Sequence, residues 1–170
     1  MSATLILGGA RSGKSARAEA LATASYLSVV YVATSLRDDD DIEWQCRIEQ
    51  HQQQRPNDWK LVEEPMCLSD LLQNGKYIND VLLIDCLTLW LSNMMLAEKN
   101  IEHEIKVLCE ALLAYQGEVI LVSNEVGMGL VPETALGRAF RDEQGRLNQA
   151  VAKAASSVEF IAAGLPITLK

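Results

Sequence analysis

Between Leu5 and Ser15 the chain reads Leu-Ile-Leu-Gly-Gly-Ala-Arg-Ser-Gly-Lys-Ser, an apolar run passing directly into G-x-x-x-x-G-K-S. That spacing is set by backbone chemistry. Gly8 and Gly13 allow the turn in which successive N–H groups face inward on an anion, the phosphate loop of nucleotide-binding proteins. Lys14 is placed to reach the β- and γ-phosphates, and the Ser15 hydroxyl to coordinate Mg²⁺. The helix expected to open at Ser15-Ala16-Arg17-Ala18 adds the partial positive charge of its N-terminus. Strand, loop and helix in this order commit the chain to an α/β fold whose first strand, Thr4 to Leu7, ends on a nucleoside triphosphate.

The rest of the sequence repeats that alternation. Val29 to Thr34 and Val81 to Asp85 are short apolar runs, as strands buried on both faces require. Lys60 to Glu63 and Val119 to Val122 read as further strands. Helices are expected at 42–55, ending at Pro56, at 68–72 and 87–97, from Ile101 to a C-terminal Gly117, and at 136–155. The segments 158–162 and 167–169, joined by a tight turn at 163–166, read as a closing antiparallel hairpin. The expected architecture is therefore a mainly parallel sheet with helices on both faces. With 170 residues, and no linker or repeat, residues 1–170 are expected to form a single domain.

Composition narrows the partners. Fifteen basic against twenty-three acidic residues give a net charge of −8, which argues against nucleic acid or an acidic membrane surface as a general partner. No run approaches a membrane span, and Val81 to Leu91 is broken by Asp85. Cys46, Cys67, Cys86 and Cys109 lack the C-x-x-C spacing of a zinc site and read as reduced thiols. With the first strand starting almost at Met1, no signal peptide is expected, and the protein reads as soluble and cytoplasmic.

Ligands of such sheets bind at the carboxyl ends of the strands. That rule gathers the loops after Leu7, Thr34, Asp85 and Ser123 into one mouth. Asp85 ends an apolar strand as a Walker B aspartate does, and would complete the Mg²⁺ shell begun by Ser15. Arg47, His51 and Arg55 recur every four residues on the expected 42–55 helix and so share a face. Such a face suits a neutral histidine attacking phosphorus between two guanidiniums, though spacing alone favours a solvated basic stripe. The aspartates at 38–41 read as a helix cap in preference to a cation site. His103, between Glu102 and Glu104, reads as surface. Asn124 and Glu125 stand at the ligand side of a glycine-rich loop, and Arg138, Arg141, Asp142, Arg146 and Asn148 suit either anion binding or a subunit contact.

Five segments together resemble the bifunctional adenosylcobinamide kinase/adenosylcobinamide-phosphate guanylyltransferase family of cobalamin biosynthesis. They are G-G-A-R-S-G-K-S at Gly8–Ser15, Y-V-A-T-S at Tyr31–Ser35, R-I-x-x-H-x-x-x-R-P-x-x-W at Arg47–Trp59, N-E-V-G-M-G-x-V-P at Asn124–Pro132, and F-R-D-x-x-G-R-x-N-Q at Phe140–Gln149. The resemblance spans essentially the whole chain. It implies phosphorylation of adenosylcobinamide with ATP or GTP, then transfer of GMP from GTP to that phosphate through a guanylylated histidine. By motif position the nucleophile is His51, with Lys14 as its catalytic companion. Gly8, Gly9, Ala10, Arg11, Ser12, Gly13, Lys14 and Ser15 would hold the triphosphate. Ala33, Thr34, Ser35, His51, Gln52, Gln53, Gln54 and Arg55 would complete the nucleotide site. Glu63 falls at a guanine position, with Glu64 its neighbouring alternative, and Asp85 falls where some members carry Glu. Some members have two adjacent histidines where this chain has Gln50 before a single His51. The family assembles as homotrimers. A monofunctional small-molecule kinase is the rival enzyme reading. A GTP-dependent switch would need N-K-x-D, for which the chain offers only Asn124-Glu125-Val126.

Overall fold

The computed structural model describes residues 2–36, 56 and 58–170. The helix expected over 42–55 lies outside the described residues. In chain order the elements are β1 (Ser2–Gly8), α1 (Lys14–Ala24), β2 (Val29–Ala33), β3 (Lys60–Glu63), α2 (Leu68–Gln73), β4 (Val81–Asp85) and α3 (Leu87–Leu96). There follow α4 (Ile101–Ala114), β5 (Glu118–Asn124), α5 (Ala135–Ala154), β6 (Ser157–Ala162) and β7 (Leu165–Thr168). The strands form one sheet in the order β3-β2-β4-β5-β1-β6-β7, parallel throughout except for the β6–β7 hairpin at one edge. This is the mainly parallel sheet with a closing antiparallel hairpin that the alternation predicts.

Side-chain alternation along each strand sorts the core into two layers. Leu5 and Leu7, Val30 and Val32, Leu82 and Ile84, and Val119 and Leu121 point to the side covered by α2, α3, α4 and α5. Their neighbours Ile6, Val29, Tyr31, Val81, Leu83, Ile120 and Val122 point to the other side, where α1 packs through Ala18 and Ala22. Alanines on that face let the helix lie close to the sheet, which brings its first turn up against the ends of β1 and β4. Counting on from Val81 and Leu83, Asp85 falls on the same face as α1.

The helix ends follow ordinary capping chemistry. Asn100 accepts the His103 N–H at 3.1 Å and Thr134 accepts that of Gly137 at 3.0 Å. His103 is exposed, as expected. The β6–β7 turn places Ala163 and Gly164 at φ 51° and 81°, the doubly left-handed geometry that two-residue hairpins favour.

One ion pair ties α1 to the hairpin. Arg17 donates from Nε to Glu159 Oε2 and from Nη2 to Oε1, both at 2.8 Å. These hydrogen bonds hold the Glu159 carboxyl below its usual range and raise the Arg17 guanidinium further. Because the folded carboxyl is the stronger acid, the unfolded chain takes up the proton first. The pair's contribution is whole above about pH 4.3, the unfolded value, and is lost as pH falls through the folded one. About a third of the Arg17 side chain is exposed, so solvent screens the pair. Glu159→Gln is expected to cost about 1 kcal/mol at pH 7 and to flatten the acid limb of stability against pH, measured by urea unfolding.

Candidate active site

The loop between β1 and α1 is closed by contacts that only glycine permits. A Cβ on Gly8 would stand 2.6 Å from both the Ile161 carbonyl and the Ser12 hydroxyl. Gly13, the N-cap of α1, has φ 100°, which side-chain-bearing residues avoid. Arg11, at φ 56°, is exposed at the tip beside exposed Ala10. Among the described residues Ser12 Oγ is buried with no hydrogen-bond partner, an orphaned polar atom inside a loop built to meet an anion.

Lys14 is buried, and its Nζ donates to the Gly9 carbonyl at 2.6 Å. Loss of solvent lowers its pKa, with the neighbouring Cys86 and Asp85 opposing the drop. An ammonium already stripped of water and fixed over the loop gains full Coulomb attraction from an incoming phosphate at little reorganisation cost. Ser15 follows in the first helical turn, half-buried.

Strand register brings the remaining candidates into line. Ala33 pairs with Glu63 on one side and Asp85 on the other, so all three stand in one row at the carboxyl edge of the sheet. Tyr31, two residues before Ala33 on the α1 face, donates its hydroxyl to Asp85 Oδ2 at 2.9 Å and fixes the carboxylate's orientation. Glu63 is exposed at the sheet edge. Glu64 accepts from the N–H groups of Met66 and Cys67 at 3.1 and 2.7 Å and so shapes the turn into α2.

Thr34 does something the sequence did not indicate. It is fully buried; its hydroxyl donates to the Cys86 carbonyl at 2.7 Å and accepts the Cys86 N–H at 2.8 Å. Its own carbonyl accepts from Asn93 Nδ2, which also donates to the Pro65 carbonyl. Thr34 and Asn93 together bind the ends of β2, β3 and β4 into a single floor. Ser35 is half-buried beside them. Thr34→Val leaves the Cys86 N–H unpaired in the interior, while the Cys86 carbonyl keeps the Trp90 N–H. It is expected to cost about 2 kcal/mol in denaturant unfolding, with Thr34→Ser close to wild type.

At the end of β5, Thr88 Oγ1 accepts the Asn124 N–H, while the Glu125 N–H donates to the Gly8 carbonyl at 2.9 Å. The Glu125 carboxylate accepts from the N–H groups of Gly127 and Met128, so it shapes its own loop. Asn148, with Gln144, bonds inward to Ser123, and Asn148 Nδ2 donates to the Asn124 carbonyl. Arg138 donates to the carbonyls of Pro132 and Glu133, and Arg141 and Arg146 pair with Asp142 and Glu143. Arg138 and Asn148 on α5 therefore support the loop after β5, whereas Arg141 and Arg146 pair within the helix.

The structure brings together Gly8 to Ser15, Ala33, Thr34, Ser35 and Asp85 at one mouth, with Glu63 in the same row. Arg47, His51, Gln52, Gln53, Gln54 and Arg55 lie outside the described residues. Tyr31, Thr88, Asn93 and Gln144 were not singled out from sequence. Thr88 and Asn93 carried the one available signal, polar side chains within an otherwise apolar helix.

Comparison with known proteins agrees with this geometry. The sequence family described as cobinamide kinase / cobinamide phosphate guanyltransferase matches residues 4–169. The chain is similar to the bifunctional adenosylcobalamin biosynthesis protein CobP of Pseudomonas aeruginosa, with 46% identity covering 98% of this chain and 96% of that one. It is also similar to the bifunctional adenosylcobalamin biosynthesis protein CobU of Escherichia coli K12, with 40% identity over 98% of each. Among solved structures, a KaiC-like protein of Pyrococcus horikoshii superposes with TM-score 0.51 at 17% identity, covering 94% of this chain and 70% of that one. An ATPase of a bacterial type III secretion system superposes with TM-score 0.56 at 9% identity, covering 98% and 56%. At those identities the likeness is one of fold.

Proposed function

The chain belongs to the cobinamide kinase/cobinamide phosphate guanyltransferase family, and from that premise we propose that residues 1–170 act as one domain catalysing two successive transfers. In the first, the aminopropanol hydroxyl of adenosylcobinamide attacks the γ-phosphorus of ATP or GTP. The nucleoside diphosphate leaves and the hydroxyl proton is released. In the second, a ring nitrogen of His51 attacks the α-phosphorus of GTP and pyrophosphate departs. An oxygen of adenosylcobinamide phosphate then attacks the same phosphorus, which frees His51 and gives adenosyl-GDP-cobinamide.

The observation that carries this reading is the Lys14 ammonium, held 2.6 Å from the Gly9 carbonyl inside the glycine-closed loop, on the sheet face that also bears Asp85. Both reactions need phosphate charge neutralised before attack in line, and one loop with one lysine supplies this for either phosphorus. Gly8 to Ser15 would cradle the phosphates, and Glu63 the guanine. Ala33, Thr34, Ser35, Gln52, Gln53, Gln54 and Arg55 would enclose the rest of the nucleotide, with Thr34 acting through the floor it fixes. Among the described residues no group of three or more His, Cys, Asp or Glu side chains is arranged for a metal. Ser15 and Asp85 alone suit Mg²⁺, an ion that keeps its waters and takes its other ligands from phosphate oxygens. When bound, it would neutralise charge developing on the bridging oxygens.

The assembly we propose is a homotrimer. Met128, Leu130, Val131 and Leu136 form an exposed apolar cluster around the loop after β5, a surface that association would cover. A cytoplasmic setting accords with free thiols at Cys67, Cys86 and Cys109 and with nucleoside triphosphate substrates.

The test is a pair of labelling reactions in Mg²⁺. GTP labelled at the α-phosphate should leave an acid-labile, alkali-stable protein adduct, as a phosphoramidate does. GTP labelled at the γ-phosphate should pass its label to adenosylcobinamide. Passage of the γ-label with no protein adduct would leave a monofunctional kinase.

A further inference from the structure

The hairpin at the far end of the chain touches the phosphate loop at its working peptide. The Gly164 N–H donates to the Ser12 carbonyl at 2.8 Å. Gly164 Cα lies 3.3 Å, and Ile161 Cγ2 3.7 Å, from where a Gly13 Cβ would stand. The Ile161 carbonyl closes on Gly8 in the same way. The Arg17–Glu159 pair fastens the hairpin's first strand to the helix that the loop opens. A hydrogen bond, close packing and an ion pair thus join β6–β7 to residues 8–17, across more than 140 positions of sequence.

A trans peptide is planar, and its C=O and N–H point in opposite directions. Holding the Ser12 oxygen outward on Gly164 therefore turns the Gly13 N–H inward, to the side where Lys14 lies and phosphate is expected. The Glu125 N–H does the same for the next donor pair by holding the Gly8 oxygen, which turns the Gly9 N–H inward. A nest of amides binds an anion well only when its dipoles are fixed beforehand, because reorienting them on binding costs the energy the contact returns.

We infer that Gly164 is a positioning residue for nucleotide binding, aiming the Gly13 N–H at the phosphate chain through its hydrogen bond to Ser12. This rests on the phosphate loop being the nucleotide site, as proposed above. Gly164 can do this because it occupies φ 81°, and a Cβ added there would meet no atom of the described residues within 4 Å. A substitution at 164 consequently acts through backbone conformation and not through a clash.

The experiment is nucleotide binding by purified full-length Gly164→Ala and Gly164→Asn, alongside thermal unfolding. Alanine resists the left-handed region and asparagine tolerates it. Gly164→Ala is expected to weaken binding of GTP, ATP and inorganic tripolyphosphate by the same factor, about tenfold, with Gly164→Asn within about twofold of wild type. A merely structural role would lower the melting temperature and leave the dissociation constant of the folded protein unchanged. Equal affinity of Gly164→Ala and wild type overturns the inference, as does a loss confined to GTP, which would point to the base. Failure of the wild-type protein to bind GTP would instead overturn the nucleotide-site reading. Amide exchange in the wild-type protein gives a check that no folding defect can obscure. Saturation with GTP should slow exchange of the Gly164 N–H, and an unchanged rate overturns the coupling.

Discussion

His51→Ala is expected to abolish formation of adenosyl-GDP-cobinamide while adenosylcobinamide phosphate still accumulates. The two reactions share a phosphate chain but not a nucleophile. In phosphoryl transfer the substrate's own hydroxyl attacks, so removing an imidazole costs positioning at most, and the kinase rate should stay within about threefold of wild type. In the proposed guanylyl transfer the imidazole would be the attacking group, and its loss would remove the covalent route altogether, a fall of at least about 10⁴-fold. Chromatography of the corrinoid products from GTP reads both rates in one reaction. The α-labelled protein adduct should vanish with the second product. Persistence of adenosyl-GDP-cobinamide in the variant would mean that the phosphate attacks GTP directly, and would remove the covalent intermediate.

Lys14→Met should behave in the opposite way, suppressing both products together. The ammonium serves the phosphate chain, whichever phosphorus is attacked, and removing one such pre-positioned charge costs about 10³-fold in rate. Methionine retains the length of the buried stem, so the change is chiefly electrostatic, although the Gly9 carbonyl keeps only the Ser12 N–H of its two described donors. Lys14→Arg should not rescue, since a planar guanidinium does not fit a cradle built for a compact ammonium. Steady-state rates for each reaction, with GTP affinity measured separately, check this. Retention of one reaction in Lys14→Met would show that the two transfers use different phosphate sites.

The parts of the site legible in sequence are those whose chemistry is local. The loop from Gly8 to Ser15 is specified by spacing because its function lies in consecutive backbone amides. Asp85 was legible in its place and only beside the phosphate loop, since an apolar strand ending in a carboxylate is weak evidence alone; the register sets it in the row of Ala33 and Glu63. The strand–helix alternation and the final hairpin follow from hydrophobic period alone. Thr34 was legible as a member of the site but not in its task. That task depends on β4 lying beside β2, which places residue 86 against residue 34, and no local pattern records such a pairing. Asn93 carries the same lesson, since its two acceptors belong to the loops after β2 and β3. For Asn148 and its neighbours on α5, spacing left anion binding and subunit contact open, whereas packing turns the amide toward Ser123 and Asn124.

The position of β1 in the sheet has a consequence for how the chain is made. Its neighbours are β5 and β6, which begin at residues 118 and 157. The strand that carries the phosphate loop is therefore made before both of its partners and stays unpaired until β5 has followed it. Pairing across such separations is slow to form. In the interval the apolar Leu5-Ile6-Leu7 segment is exposed, and nucleotide has no assembled loop to bind. Nucleotide bound at the proposed site would thus stabilise the finished fold without guiding the early steps of its folding.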